Sequence, residues 1–367
     1  MTAHEGNLGF GLMRLPRRGV KIDIAQVSQM VDLFLDAGFT YFDTARMYPG
    51  SETATRKALV KRHPRDSYTI ATKLNTMIAP TAKLARKQFD TSCRNLGVSY
   101  VDYYLLHSLS NSSYKSYENL GLWDYVRDLK RQGKVRWIGF SFHAGPELLD
   151  AILSEHPDVD FVQLQINYAD WENPRITSRA NYEVARAHGK PIVIMEPVKG
   201  GALAKPAPEI RELMDKTAPD ASYASWAIRF AAGLDGILAV LSGMSNVEQV
   251  ADNISYMRDF QPLGKDEMAV IQRAREILGN ARDIPCTACR YCVEGCPRHI
   301  LIPDVFAAMN KQLVDGKLDE ARADYRAAID AGNFASACIA CGRCEDVCPQ
   351  NIEIISQLRE CVTALEP

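Results

Sequence analysis

The chain has 367 residues, a formal net charge of −2, 47% hydrophobic residues and 24% charged residues. That length holds one large domain and a small appendage, and the near-neutral charge argues against nucleic acid as a partner. No apolar run approaches the ~20 residues of a membrane span. The opening Met1-Thr2-Ala3-His4-Glu5-Gly6 has neither the basic nor the apolar region of an export signal, so ten cysteines point to a reducing cytoplasm.

In chain order, short apolar runs rich in β-branched residues alternate with longer helical patterns from residue 7 to about 260. The predicted strands are 8–11, 40–43, 68–73, 102–107, 135–140, 161–165, 191–196 and 237–241. Helices predicted between them include 24–37, 82–96, 122–132, 148–155, 178–188 and 221–232. Eight strand–helix repeats in about 250 residues is the count of a (β/α)8 TIM barrel. A doubly wound open sheet shares the alternation, but it would carry a glycine-rich fingerprint after its first strand. Gly9-Phe10-Gly11-Leu12-Met13-Arg14 does not supply one.

Barrels of this kind place their chemistry at the C-terminal ends of the strands. Asp43 ends the second predicted strand, Lys73 the third and His107 the fourth, and Tyr48 follows the second by a short loop. All four side chains can converge on one mouth. Each has a plainer reading as well: Asp43 and Lys73 as a structural ion pair, Tyr48 as a loop aromatic, His107 as a satisfied structural group. Residues 108–121, rich in Ser, Asn and Tyr, are placed to lid the mouth.

A further helix is predicted over 265–278, followed by a cysteine-rich region with helices at 304–313 and 318–331. The domains expected are therefore 1–280 for the barrel and 281–367 for a small helical module. Its first motif is Cys286-x-x-Cys289-x-x-Cys292-x-x-x-Cys296-Pro297, and its second is Cys338-x-x-Cys341-x-x-Cys344-x-x-x-Cys348-Pro349. Zinc is the main metal alternative, but zinc sites are usually paired C-x-x-C units with no reason for a third ligand at the same period. Disulfides suit residues three apart in tight turns poorly. The runs resemble those of bacterial-type ferredoxins. That resemblance implies two [4Fe–4S] clusters, one on Cys286, Cys289, Cys292 and Cys348, the other on Cys338, Cys341, Cys344 and Cys296. Cys93 and Cys361 fall outside the pattern, and Cys93 reads as a packing residue of an amphipathic helix.

The barrel segment carries a second resemblance. Phe42-Asp43-Thr44-Ala45-Arg46-Met47-Tyr48-Pro49-Gly50-Ser51-Glu52 is similar to the aldo-keto reductase signature. Ala71-Thr72-Lys73, Tyr100-Val101-Asp102-Tyr103-Tyr104-Leu105-Leu106-His107 and the opening Leu8-Gly9-Phe10-Gly11-Leu12-Met13-Arg14-Leu15-Pro16 are similar too. With the cysteine runs, the chain resembles the subgroup that carries a C-terminal ferredoxin-like domain. The chemistry agrees. Hydride reduction of a carbonyl leaves an alkoxide that needs a proton, and a tyrosine hydroxyl is a poor acid at its ordinary pKa of ~10. A neighbouring ammonium favours the phenolate. Lys73 supplies one, Asp43 holds Lys73 charged, and Tyr48 then serves as general acid in reduction and as base in the reverse direction. His107 orients and polarises the carbonyl oxygen.

For the cofactor, the resemblance implies that Ser141 and Gln165 hold the nicotinamide carboxamide. It places Pro197, Lys199, Gly200 and Gly201 in the loop beside the pyrophosphate. It places Ser242, Gly243, Ser245, Gln249 and Asn253 on the adenosine side. The chain departs from the family pattern at Phe142-His143, where an Asn usually follows the serine, and at Met195, where many members stack an aromatic ring. The Lys and Arg that many members aim at a 2′-phosphate are missing, although Ser245 and backbone amides at a helix start can bind phosphate. NADP is favoured, NAD stays open, and a flavin is a third candidate.

Nicotinamide carries two electrons as a hydride, whereas each cubane carries one. The clusters are therefore structural, or linked to a flavin, or fed by a redox protein partner; redox use is favoured because two clusters in series make a wire. The expected function is carbonyl–alcohol interconversion on a small molecule. The alternative is an electron-transfer or redox-sensing protein whose barrel binds nucleotide without turnover.

Overall fold

The computed structural model describes residues 8–366, so the amino-terminal segment considered for export lies outside the described residues. Eight parallel strands close into a barrel: β1 (Leu8–Gly11), β2 (Tyr41–Asp43), β3 (Thr69–Leu74), β4 (Val101–Leu109), β5 (Val135–Phe142), β6 (Phe161–Gln165), β7 (Ile192–Met195) and β8 (Ile237–Ser242). They lie in sequence order around the ring, and β8 pairs back onto β1. Every predicted strand is present, with its ends shifted by two residues or fewer.

These strands read as continuous apolar runs because both faces are buried. Side chains alternate with period two. Tyr41, Ala71, Tyr103, Leu105, Phe161, Val193 and Ala239 fill the barrel interior. Their neighbours Phe42, Ile70, Tyr104, Leu106, Val162, Ile194 and Val240 pack outward against the helices. The same alternation carries inward the residues two positions beyond the interior set. Asp43, Lys73, His107 and Met195 thus face the lumen at the C-terminal mouth.

Between strands, the helices are set by their caps. The Asp23 carboxylate accepts the Gln26 N–H at 3.2 Å and starts helix Ile24–Asp36. Thr81 does the same for Ala82–Leu96, and Asn246 for Val247–Met257. The segment expected to lid the mouth contains its own short helix, Tyr114–Asn119. Tyr117 is fully buried there, and its hydroxyl donates to the His107 carbonyl at 2.5 Å. The segment is thereby anchored under the strand it follows.

The chain divides into two compact units. One takes in the described residues up to Val198 together with Leu203–Ile271; the other takes in Lys199–Ala202 and Gln272 onward. Helix Lys265–Gly279 spans the division. The second unit has its own core. Helices Ile302–Asp315, Leu318–Ala331 and Ile354–Leu365 bury Phe306, Met309, Tyr325 and Leu358. The Tyr325 hydroxyl closes this core by donating to Glu366 at 2.5 Å and accepting the Ala335 N–H at 2.8 Å. Among the described residues, no helix is long and apolar enough to cross a membrane.

Candidate functional site

At the barrel mouth, Lys73 is 1% exposed and Asp43 2%. The Lys73 ammonium donates to the Asp43 carboxylate at 2.5 Å and to the Thr44 carbonyl at 2.9 Å. Burial pushes the Lys73 pKa down and the Asp43 pKa up, and the attraction between the two charges opposes both shifts. Glu52 adds a second negative field at Lys73. Its carboxylate is buried and accepts from the Thr72 hydroxyl and the Asn95 amide, each at 2.9 Å. The sequence had placed Glu52 inside the reductase-like segment with no role. Its signal is position: it sits on helix Ser51–Thr55, one turn beyond Tyr48.

The Lys73 ammonium lies 5.0 Å from the centre of the Tyr48 ring. His107 meets the same ring edge-on, with centroids 5.9 Å apart at 81°. The four residues predicted from the strand ends therefore stand in one cluster. A bulge aims His107 there. Leu106 pairs with Phe140 and Leu109 with Phe142, so His107 and Ser108 together oppose the single residue Ser141. Ser108 takes a left-handed conformation, φ 62°, and donates its N–H to the Ser141 hydroxyl at 2.7 Å. Burial first, then the positive field of Lys73 and the nearby His143, push the His107 pKa well below its ordinary value, so the imidazole is neutral. His143 is driven down to about 4 by burial.

The residues predicted for the cofactor fall into three groups. Ser141 and Gln165 are buried at the ends of β5 and β6, and the Gln165 amide donates to Asp170 at 3.0 Å. Ser242, Gly243, Ser245, Gln249 and Asn253 come together after β8. Asn253 donates to the Ser242 hydroxyl at 2.6 Å, and Gln249 accepts the Ser245 N–H at 2.6 Å. The Ser245 hydroxyl reaches across to the Arg14 carbonyl at 2.8 Å. Pro197 lies one residue before the end of the first stretch of the barrel unit, while Lys199, Gly200 and Gly201 belong to the second unit. All three of the latter have positive φ, as does Glu196.

Arg14 has no counterpart among the predicted site residues. It follows β1, its side chain would touch a Cβ placed at Gly243 at 3.7 Å, and its guanidinium faces Glu196 at 3.9 Å. Ring closure between β1 and β8 makes these neighbours, which the linear sequence does not display.

In the second unit, the cysteines sort into two cradles. One cavity is lined by Cys286, Cys289, Cys292 and Cys348. A second is lined by Cys296, Cys338, Cys341 and Cys344. Three thiols of each run thus join the fourth of the other, the crossed pattern of two-cluster ferredoxins. The backbone repeats as well. Ala288, Arg290 and His299 in the first run, and Ala340, Gly342 and Asn351 in the second, all adopt left-handed φ at matching places. Such turns point successive N–H groups into a concavity suited to an anionic cluster; the Ala340 N–H reaches the Cys338 sulfur at 3.4 Å. Five of these six residues are not glycine, so the conformation is held against its intrinsic preference. The donor set, its partition and these turns fit a [4Fe–4S] cluster in each cradle. Cys93 and Cys361 take no part; burial raises their pKa values to about 11 and about 12.

Comparison with known proteins agrees with this architecture. The model of the aldo/keto reductase family matches residues 7–276, and that of the 4Fe-4S dicluster domain matches residues 285–353. An aldo-keto reductase of Mycolicibacterium vanbaalenii is 29% identical over 249 residues, covering 67% of this chain and 82% of that protein. Another, of Mycolicibacterium smegmatis, is 32% identical over 161 residues, 42% of this chain; the chain spans about half of that relative's length, 54%. Among solved structures, an aldo-keto reductase from Klebsiella pneumoniae in complex with NADPH superposes with a TM-score of 0.59 at 20% identity, over 73% of this chain and 90% of that one. At that identity the likeness carries the fold alone, but the family match spans most of the chain, barrel and strand-end cluster together. The chain belongs to the aldo/keto reductase family and carries a 4Fe-4S dicluster domain after its barrel.

Proposed function

We propose that this protein interconverts a small aldehyde or ketone and its alcohol, with Tyr48 as the proton donor and acceptor. The observation that carries the reading is the convergence of Asp43, Lys73, Tyr48 and His107. A buried ammonium 2.5 Å from its carboxylate stands over the ring of a tyrosine that a neutral histidine meets edge-on. As a carbonyl is reduced, Tyr48 gives its proton to the developing alkoxide, and the Lys73 charge stabilises the phenolate left behind. Asp43 keeps Lys73 in place. His107, uncharged, donates an N–H to the carbonyl oxygen, polarising it without competing as an acid. In the reverse direction, the Tyr48 phenolate takes the alcohol proton.

A nicotinamide dinucleotide, when bound, supplies or accepts the hydride. The chain's residues suit it. Gly11 and Gly243 leave the ends of β1 and β8 bare of side chains beside Arg14, and a Cβ at Gly11 would come within 3.3 Å of the Ser242 carbonyl. Ser141 and Gln165, buried at the ends of β5 and β6, offer neutral polar groups for the carboxamide. Arg14 supplies a cation for a phosphate of the dinucleotide. In this reading the division of labour falls near residue 280. The two clusters give the second unit one-electron capacity, and we assign them a redox role.

A second reading, nucleotide binding without carbonyl turnover, draws on Met195 and on Phe142-His143, where the chain departs from its family's pattern. A panel of aldehydes and ketones assayed with NADPH and NADH separates the two. Turnover of at least one carbonyl, faster with NADPH, is expected. No turnover of any, alongside saturable dinucleotide binding, would favour the second reading.

A further inference from the structure

The two cradles are alike in ligands but not in surroundings. In the first, Cys292 is buried and Cys286, Cys289 and Cys348 are partly buried. The arginine that lines it, Arg290, is neutralised by Asp304 at 3.0 Å. In the second, Cys341 is exposed. Ile339, which lines the same cavity, is 59% exposed, and Phe334, at the head of the turn leading into Cys338, is 47% exposed. Large exposed apolar side chains five residues apart on one short segment mark interaction sites more often than isolated ones do.

The charged side chains that line this cavity have one sign. Arg298 and Arg343 line the cavity, and both are exposed. No carboxylate lines it. Among the described residues neither arginine forms an ion pair; Arg298 instead donates to the Ala337 carbonyl at 3.2 Å, which fixes it beside the cysteines. The acids nearby in sequence, Glu345, Asp346 and Glu366, do not line the cavity; Glu366 takes the Tyr325 hydroxyl and the Ser336 N–H, and Glu345 takes the Ile355 N–H at 2.8 Å. An apolar centre with an unpaired basic rim complements a negatively charged protein surface. Electron tunnelling weakens steeply with distance, so an exposed ligand thiol marks the short way in.

We infer that the cradle of Cys296, Cys338, Cys341 and Cys344 is the electron port of this chain, and that the face formed by Phe334, Ile339, Arg298 and Arg343 docks an acidic one-electron carrier protein. The inference rests on the redox role assigned to the clusters above. The exchange is balanced: the reduced carrier loses one electron, the cluster in this cradle gains it, no bond forms or breaks, and no proton moves.

The test uses anaerobically purified holoprotein and, as probe, a small ferredoxin of net negative charge. Its Kd is measured by calorimetric titration with both proteins oxidised. Cluster reduction by the reduced ferredoxin is followed by stopped flow, with dithionite as a small-molecule control. We expect binding to weaken about tenfold as ionic strength rises through the screening range, from about 0.02 to 0.3 M. Arg298→Glu with Arg343→Glu should weaken binding and slow reduction by about tenfold or more at low salt, with dithionite reduction unchanged. Arg290→Glu at the first cradle should change both by less than about threefold, since that charge is already paired. Should the double variant lose its clusters, Arg298→Gln with Arg343→Gln is measured instead, with the same direction expected. Salt-independent binding, or an equal effect of Arg290→Glu, would overturn the docking face while leaving the redox role standing. Clusters that dithionite does not reduce would overturn the redox role and the inference with it.

Discussion

Lys73 is the residue on which the barrel mouth turns. An ammonium that is 1% exposed has lost its hydration and stays charged only through the Asp43 carboxylate, the Thr44 carbonyl and the field of Glu52. Removing one partner of such a pair leaves the other buried and uncompensated. Lys73→Met should therefore destabilise the barrel by about 3–5 kcal/mol in urea unfolding. The double variant Lys73→Met with Asp43→Asn should recover part of that loss, while neither regains carbonyl turnover. Equal losses in single and double variants would show that the pair is not coupled. The histidines supply a pH signature. An unfolded histidine titrates near ~6.5, whereas burial lowers His143 to about 4 and His107 well below its ordinary value. Between those limits the unfolded chain binds protons that the folded chain refuses, so stability falls as pH drops from about 6.5 toward 4. The Tm should fall over that window, and His143→Gln should flatten the slope.

At the scale of elements, the decisive features are a bulge and a set of turns. The strands themselves were legible, because apolar runs buried on both faces leave a plain trace and polar residues at their ends stand out. Asp43, Lys73 and His107 stood out as candidates for the same reason, with Tyr48 a short loop beyond the second strand. The bulge at His107 was not. It depends on the register of β4 against β5, a relation that neither strand states alone. Arg14 escaped because its neighbours after β8 lie at the other end of the barrel sequence and meet it only through ring closure. The two cysteine runs were legible because ligand spacing is a local pattern; their crossed partition followed only from the resemblance to bacterial-type ferredoxins, since spacing alone would group the four thiols of each run. The left-handed turns at Arg290, His299 and Asn351 were less so, because such turns are usually announced by glycine. Those turns bear on what the clusters hold in place. Each left-handed non-glycine residue is disfavoured by roughly 1–2 kcal/mol, so the cysteine loops should loosen when iron is lost. The helices Ile302–Asp315, Leu318–Ala331 and Ile354–Leu365 have an apolar core of their own. Hydrogen exchange after anaerobic chelation should show protection lost over 286–299 and 338–351 and kept in the three helices. Uniform loss across the unit would mean that the clusters hold the whole unit together.

Across the whole molecule, an aldo/keto reductase barrel and a dicluster module share one chain. The family match describes the barrel, and the dicluster match describes the module. Neither states why they are joined. The geometry places Asp43, Lys73, Tyr48 and His107 together at the barrel mouth, and it places two cradles in the second unit, one of them with an exposed cysteine. In the proposed function, carbonyl reduction is the barrel's own reaction, the clusters connect to other electron carriers, and Tyr48 moves the proton. The most direct measurement is single-turnover reduction of a carbonyl substrate by enzyme preloaded with NADPH, comparing the wild-type chain with Tyr48→Phe while the dinucleotide Kd is measured in parallel. The account predicts a rate lower by about 10²–10⁴-fold with the Kd changed less than about twofold. A Tyr48→Phe enzyme that reduces the carbonyl at the wild-type rate would contradict it.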